Sequence, residues 1–166
     1  MAILYTIPKG AHYANGVRTS FLVGNTVLAF KAKFYPNCIY EDPQTPGQIN
    51  KLYGIAYGRH HNCSARIGWR SDGKRIEVLA YVYVAPQKVE SKHLAWVDVQ
   101  EWHSFRITRK RKQLWVSIDD QTPLEFELRS PSPFGYRLSP YFGGQLPAPQ
   151  EMMIEIEITR LNGLGA

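Results

Sequence analysis

Apolar and polar residues alternate one for one through most of this chain, and no long stretch shows the three-to-four spacing of an amphipathic helix. The clearest run is Arg75 to Ala85, R-I-E-V-L-A-Y-V-Y-V-A. It sets Ile76, Val78, Ala80, Val82 and Val84 on one face and Glu77, Leu79, Tyr81 and Tyr83 on the other. A second run lies between Trp102 and Asp120. There Phe105 and Ile107, then Leu114, Val116 and Ile118, alternate with Arg106, Thr108, Trp115 and Ser117. These two strands predict an antiparallel hairpin around Arg109 to Gln113, a connection longer than two residues and without glycine. Further strands are predicted at residues 1–9, within 17–35, and at 51–58, 63–70, 94–99, 123–128 and 152–159.

Turn chemistry separates these runs. Asn15-Gly16 and Ser71-Asp72-Gly73-Lys74 favour the positive backbone angles of tight turns, and Pro36-Asn37 ends a strand. Residues 41–47, E-D-P-Q-T-P-G, predict a surface loop, because two prolines deny a helix or central strand. Turn signals recurring roughly every 8–12 residues point to an all-β fold. The expected architecture is a two-sheet antiparallel jelly-roll sandwich, formed by residues 1–166 as one domain.

Composition adds little to the fold and something to the partner. A hydrophobic share of 44% over 166 residues supports a real core. The net charge of +6 favours anionic partners. Cys38 and Cys63 are expected as buried thiols, although one pair forces neither this nor a disulfide. No basic stretch followed by an apolar run opens the chain, and no segment approaches the ~20 apolar residues that span a bilayer. The chain is thus expected to be soluble and cytoplasmic unless a leader has been removed, and self-association into a homo-oligomer is compatible with it.

The motif R-x-G-W-x-x-D-G-K from Arg66 and the tyrosine-rich strand after it begin a wider pattern. W-H-S-F-R-I with L-W-V-S-I-D, G-Y-R-L-S-P-Y-F-G-G from Gly135, and the closing M-I-E-I-E-I from Met153 continue it. Together, over roughly residues 50–160, they resemble the concanavalin A-like lectin and glucanase superfamily, which includes laminin-G-like modules and some polysaccharide lyases. The resemblance implies two curved antiparallel sheets, with a glycan site on the concave sheet or its rim loops, and one such fold serves many functions. In the alginate-lyase branch the catalytic parts sit in R-x-E-L-R, Q-I-H and Y-F-K-A-G-x-Y-x-Q segments. Arg66 and Arg70 match the first two arginines, but Gly68 replaces the Glu. Tyr141-Phe142 matches the start of the last segment, but Gly143 replaces its Lys, and Gln48-Ile49-Asn50 lacks the His. The resemblance therefore implies the fold and a sugar ligand without the catalysis.

Arg66 and Arg70, four apart on a predicted strand, share a face, and Gly68 between them is expected to leave the surface open. With Tyr81 and Tyr83 of the neighbouring strand they would form a shallow cationic floor with aromatic rings, suited to an acidic sugar chain. The competing reading cross-pairs the arginines with Glu77 on an exposed sheet. His60 in the R-H-H-N run from Arg59, with Tyr141 and Gln145 at the rim, completes the candidate ligand-binding set. Glu155 and Glu157, roughly 7 Å apart along a strand, fall near the separation used by glycosidases, but I-E-I-E-I is also what any strand with one wet face looks like. The basic tip from Arg109 to Lys112 reads as a solvated turn without interleaved aromatics, so nucleic acid is not expected. His60-His61 and Asp119-Asp120 lack metal-ligand spacing, and no cofactor is implied. Trp69, Trp96 and Trp102 are expected to pack in the core or on a sheet, with Trp115 on an outer face.

The leading expectation is a non-catalytic domain that binds an oligo- or polysaccharide of acidic type. The alternatives are a polysaccharide lyase or glycosidase on the same sheet, and a structural or adhesion subunit whose aromatic surface is a protein interface.

Overall fold

A computed structural model describes residues 1–16, 19–41, 44 and 47–164. Among the described residues, twelve antiparallel-paired strands form two six-stranded sheets, and a single 3-10 turn at Pro36–Cys38 is the one helical element. The first sheet runs β1 (Ile3–Ile7), β12 (Met152–Leu164), β3 (Asn25–Phe34), β8 (Trp102–Lys110), β9 (Gln113–Ile118), β10 (Leu124–Glu127). The second runs β2 (Phe21–Val23), β11 (Phe134–Leu138), β4 (Asn50–Tyr57), β5 (Ser64–Ser71), β6 (Ile76–Ala85), β7 (Lys88–Val97). This is an all-β jelly-roll sandwich. No helix among the described residues is long and apolar enough to cross a membrane.

The alternation in the sequence is what closes the sandwich. On β5, Ala65, Ile67 and Trp69 are fully buried while Arg66 and Arg70 point the other way. Trp69 meets Phe34 of the opposite sheet at a ring separation of 5.3 Å, and Tyr53 meets Phe30 at 5.4 Å. Aromatic pairs of this kind add to the area buried between the layers. Cys38 and Cys63 are both buried free thiols. Cys38 donates to the Met153 carbonyl at 3.2 Å, and burial pushes its thiol up to about 12.

Several boundaries differ from the sequence expectation, each for a local reason. The β8–β9 turn is two residues long, since Lys110 pairs with Gln113 and Arg111 adopts φ 56° without being glycine. Arg109 is not part of that tip. It is buried, with its guanidinium 4.4 Å over the Tyr57 ring and Nη1 donating to the Ser132 carbonyl at 2.8 Å. β7 begins six residues before the predicted 94, because an edge strand can be polar on both faces and then shows no alternation. β12 runs on to Leu164, past the predicted end at 159. Trp96 and Trp102 are exposed rather than buried, and each carries a cation, Arg75 at 4.3 Å and Lys33 at 4.9 Å. Glu155 and Glu157 sit on the wet face of β12, paired with Lys33 at 2.8 Å and the Met1 amino group at 2.9 Å. Of the proline-containing loop expected at 41–47, residues 42, 43, 45 and 46 lie outside the described residues, as does Val17 of the strand expected from 17.

Candidate functional site

The outer face of the second sheet carries a groove of about 510 Å³ over β4, β5 and β6. Strand register decides what meets there. Arg66 pairs with Tyr81 and Ser64 with Tyr83, so the guanidinium and both phenol rings project together from β5 and β6. Gly54 of β4 lies opposite Arg66. A Cβ on Gly54 would strike the Ala65 carbonyl oxygen and lie 2.7 Å from Arg66 Cα and Cγ. The missing side chain therefore lets the Arg66 stem lie flat across β4, and Nη2 donates to the Ser139 carbonyl at 2.8 Å. Arg66 Nε is buried and has no hydrogen-bond partner among the described residues.

A second cation stands beside the first. Lys51 of β4 donates to the Gly143 carbonyl at 3.0 Å, with its ammonium 5.0 Å from the centre of the Tyr81 ring. Burial, with Arg66 as the next cause, pushes Lys51 down to about 8. Burial likewise pushes Arg66 down to about 10, against the pull of four surrounding tyrosines. Among the described residues no Asp or Glu lines the groove, and none lies within ion-pair distance of either cation. Two desolvated like charges without a counter-charge are costly unless an anion joins them.

The walls are aromatic. His60 and His61 occupy the turn between β4 and β5 rather than a strand, which brings their rings to 4.1 Å instead of opposite faces. His61 lies 5.4 Å from Tyr83, which meets Tyr81 edge-on at 5.9 Å. Burial, then His61 and Arg66, hold His60 below the usual imidazole range. Burial and the neighbouring Tyr83 push Tyr81 up to about 12, so it is a protonated donor at neutral pH. On the far wall Tyr141 is bridged to both Tyr13 and Lys51, stacked on His12 at 5.3 Å and met edge-on by Tyr13 at 5.0 Å.

The loop that carries Tyr141 is held by main-chain bonds to Lys51 and His12 and, beyond them, by two side chains. Asn50 Oδ1 accepts from the Gly143 amide at 2.7 Å, and Gln48 Oε1 accepts from the Gln145 and Leu146 amides at 3.0 and 3.3 Å. Beyond Lys51 and Tyr81 the groove opens into a second basin of about 450 Å³, lined by Gln145, Gln48 and Ile49.

Of the residues expected from the sequence, Arg66, Tyr81, Tyr83, His60 and Tyr141 line the groove, and Gln145 lines the adjoining basin. Arg70 shares their face but stands apart. Its Nε donates to Glu77 Oε2 at 2.6 Å, and His93 Nδ1 takes the other oxygen at 2.8 Å. The cross-strand ion pair thus describes Arg70 and not Arg66. Gly68 does not open the surface, because the Ile49 Cγ2 methyl lies 2.6 Å from where its Cβ would be. Lys51 and Tyr13 escaped the sequence reading, and His61 entered it only as part of the R-H-H-N run. A register shift between Lys51 and Tyr53 breaks the alternation that would have placed Lys51, and Tyr13 arrives from a distant turn. No cluster of three or more His, Cys, Asp or Glu able to hold a metal occurs among the described residues.

No protein-family model matches the sequence, and no curated protein matches it. Among solved structures the chain is similar to an alginate lyase from Pseudomonas aeruginosa, with TM-score 0.68 and 13% identity, covering 96% of this chain and 82% of that one. It is similar to an alginate lyase in complex with dimannuronate, with TM-score 0.62 and 12% identity, covering 97% and 73%. It is also similar to a functionally unknown protein from Saccharomyces cerevisiae, with TM-score 0.58 and 11% identity, covering 99% and 89%. Identities at this level speak of backbone architecture alone. On that footing, the two six-stranded sheets of this chain form a concanavalin A-like jelly roll.

Proposed function

We propose that the protein binds an acidic polysaccharide in the groove over β4, β5 and β6. The observation that carries this reading is the pair Arg66 and Lys51, desolvated together with no carboxylate beside them among the described residues. A uronate carboxylate would take the groove-facing edge of the Arg66 guanidinium and the Lys51 ammonium in charge-assisted hydrogen bonds. Tyr81, Tyr83 and Tyr141 offer ring faces to the apolar side of a sugar and hydroxyls to its polar edge. A solved structure of like fold is an alginate lyase holding dimannuronate, which agrees with an acidic sugar as ligand.

A second reading is favoured by one observation, that His60 and Tyr141 line the same groove as Arg66. In a β-elimination, Arg66 and Lys51 would neutralise the uronate carboxylate and a neutral His60 would take the proton on the adjacent carbon. The carbon–oxygen bond to the leaving sugar would then break, leaving a carbon–carbon double bond, and the Tyr141 hydroxyl would protonate the departing oxygen. The departures at Gly68 and Gly143 from the lyase motifs favour binding without cleavage.

A glycan array that includes uronate polymers, followed by ultraviolet absorbance for the unsaturated product, separates the two. Binding without product is expected. Arg66→Ala should weaken it about 10–100-fold, the worth of a charged hydrogen bond, and Arg70→Ala much less. Affinity unchanged in Arg66→Ala would refute the site. Steady product formation would replace binding with the lyase reading.

A further inference from the structure

The groove and the basin beyond it are two halves of one trough, joined where Lys51, Tyr81 and Gly144 line both. Their chemistry differs. The first half holds Arg66 and Lys51 without a counter-charge among the described residues. In the second half, Lys51 at the junction is the one charged group lining it among the described residues. Arg70 approaches it from behind, with Nη1 3.3 Å from the Gly47 carbonyl, but Glu77 already takes that charge at 2.6 Å. The floor there is the Ile49 side chain, whose methyl fills the space over Gly68. Its exposed polar side chains are Gln44 and Gln145, amides with no formal charge, the latter on a backbone held in place by Gln48.

We infer that the trough reads a heteropolymer, with a uronate unit over Arg66 and Lys51 and an uncharged sugar, hydroxylated or acetamido-bearing, over Ile49 and Gln145. This rests on the proposed acidic-polysaccharide site and narrows it. A run of uronates would leave its second carboxylate against a methyl and uncharged amides, with Lys51 already engaged by the first. A charge brought out of water without a partner is disfavoured, whereas an uncharged ring loses little there and gains the Ile49 contact.

The test is calorimetric titration with three hexasaccharides of equal length: alternating glucuronate and N-acetylglucosamine, polymannuronate, and cellohexaose. The alternating oligomer should bind at least about tenfold more tightly than polymannuronate, although it carries half the charge. Cellohexaose should bind least. Gln145→Lys, at an exposed position, should move the preference about tenfold toward polymannuronate by supplying a second cation, while Arg66→Ala should weaken both acidic ligands. Polymannuronate binding equally or better, with Arg66→Ala still weakening it, would overturn the heteropolymer inference and leave the anion site standing. No binding of either acidic oligomer, or binding indifferent to Arg66→Ala, would bring down the anion site as well. Cellohexaose matching the alternating oligomer would also overturn the inference, since charge would then play no part.

Discussion

Replacing Lys51 by methionine should make the protein more stable, and the gain should depend on pH. Lys51 falls from an ordinary 10.5 to about 8, chiefly by burial and then by Arg66. That fall, at about 1.36 kcal/mol for each tenfold change in proton affinity, gives an upper bound of about 3 kcal/mol against folding at neutral pH. Partial solvent access to the ammonium roughly halves this. The lost bond to the Gly143 carbonyl takes back about 0.5–1 kcal/mol, leaving a net gain of about 1 kcal/mol. For a domain of this size that is about 2–4 °C in Tm. The sign follows from proton binding. The unfolded chain holds the Lys51 proton up to about pH 10.5 and the folded chain only to about 8, so wild-type stability rises through that window and the Lys51→Met advantage falls close to zero by pH 9.5. Thermal unfolding of both proteins at pH 7 and 9.5 reads this directly. A variant less stable than wild type, or equally favoured at both pH values, would show that Lys51 is not a cation held out of water, and the electrostatic case for an anion site would fail with it.

Two other perturbations address the supports of the site. Glu77 is buried, which works against its charge, but the bonds from His93 and Arg70 outweigh this and hold its carboxyl below the ordinary range. Its contribution is present above the unfolded carboxyl value and is lost as pH falls through the depressed folded one, so Glu77→Gln should cost about 1–3 kcal/mol at neutral pH and flatten the acid limb in urea titrations. An acid limb identical to wild type would contradict the pairing. Gly54→Ala should cost about 1–3 kcal/mol and lower acidic-glycan affinity as well, because its Cβ meets the Ala65 carbonyl and the Arg66 stem. A folded Gly54→Ala protein with full affinity would show that Arg66 does not need the flat path across β4.

The sequence carried the sheets wherever one face was wet and one dry. β5 and β6 alternate without interruption, so Arg66, Tyr81 and Tyr83 could be assigned one face before any coordinates. The Arg70–Glu77 pair was also within reach. The Asp72-Gly73 turn fixes the hairpin register, and counting outward from it sets Arg70 opposite Glu77 and Arg66 opposite Tyr81. What failed did so where a neighbour distant in sequence decides the outcome. Arg109 looks like the root of a solvated tip, yet the Tyr57 ring and the Ser132 carbonyl hold it inside. Gly68 looks like an opening until Ile49 covers it. Lys51 lies at a bulge, and Tyr13 comes from a turn 128 positions before its partner Tyr141, so neither leaves a local trace.

Past the main-chain bonds of Tyr141 to Lys51, the end of the wall at Gln145 and Leu146 is held by the side-chain amide of Gln48, where the floor beneath is secured by ladder after ladder of main-chain bonds. Floor and rim are therefore free to drift at different rates over evolutionary time. A single exchange at Gln48, which lies outside every strand, re-hangs that end of the wall, so trough width and ligand preference can diverge among descendants while the sandwich itself stays recognisable.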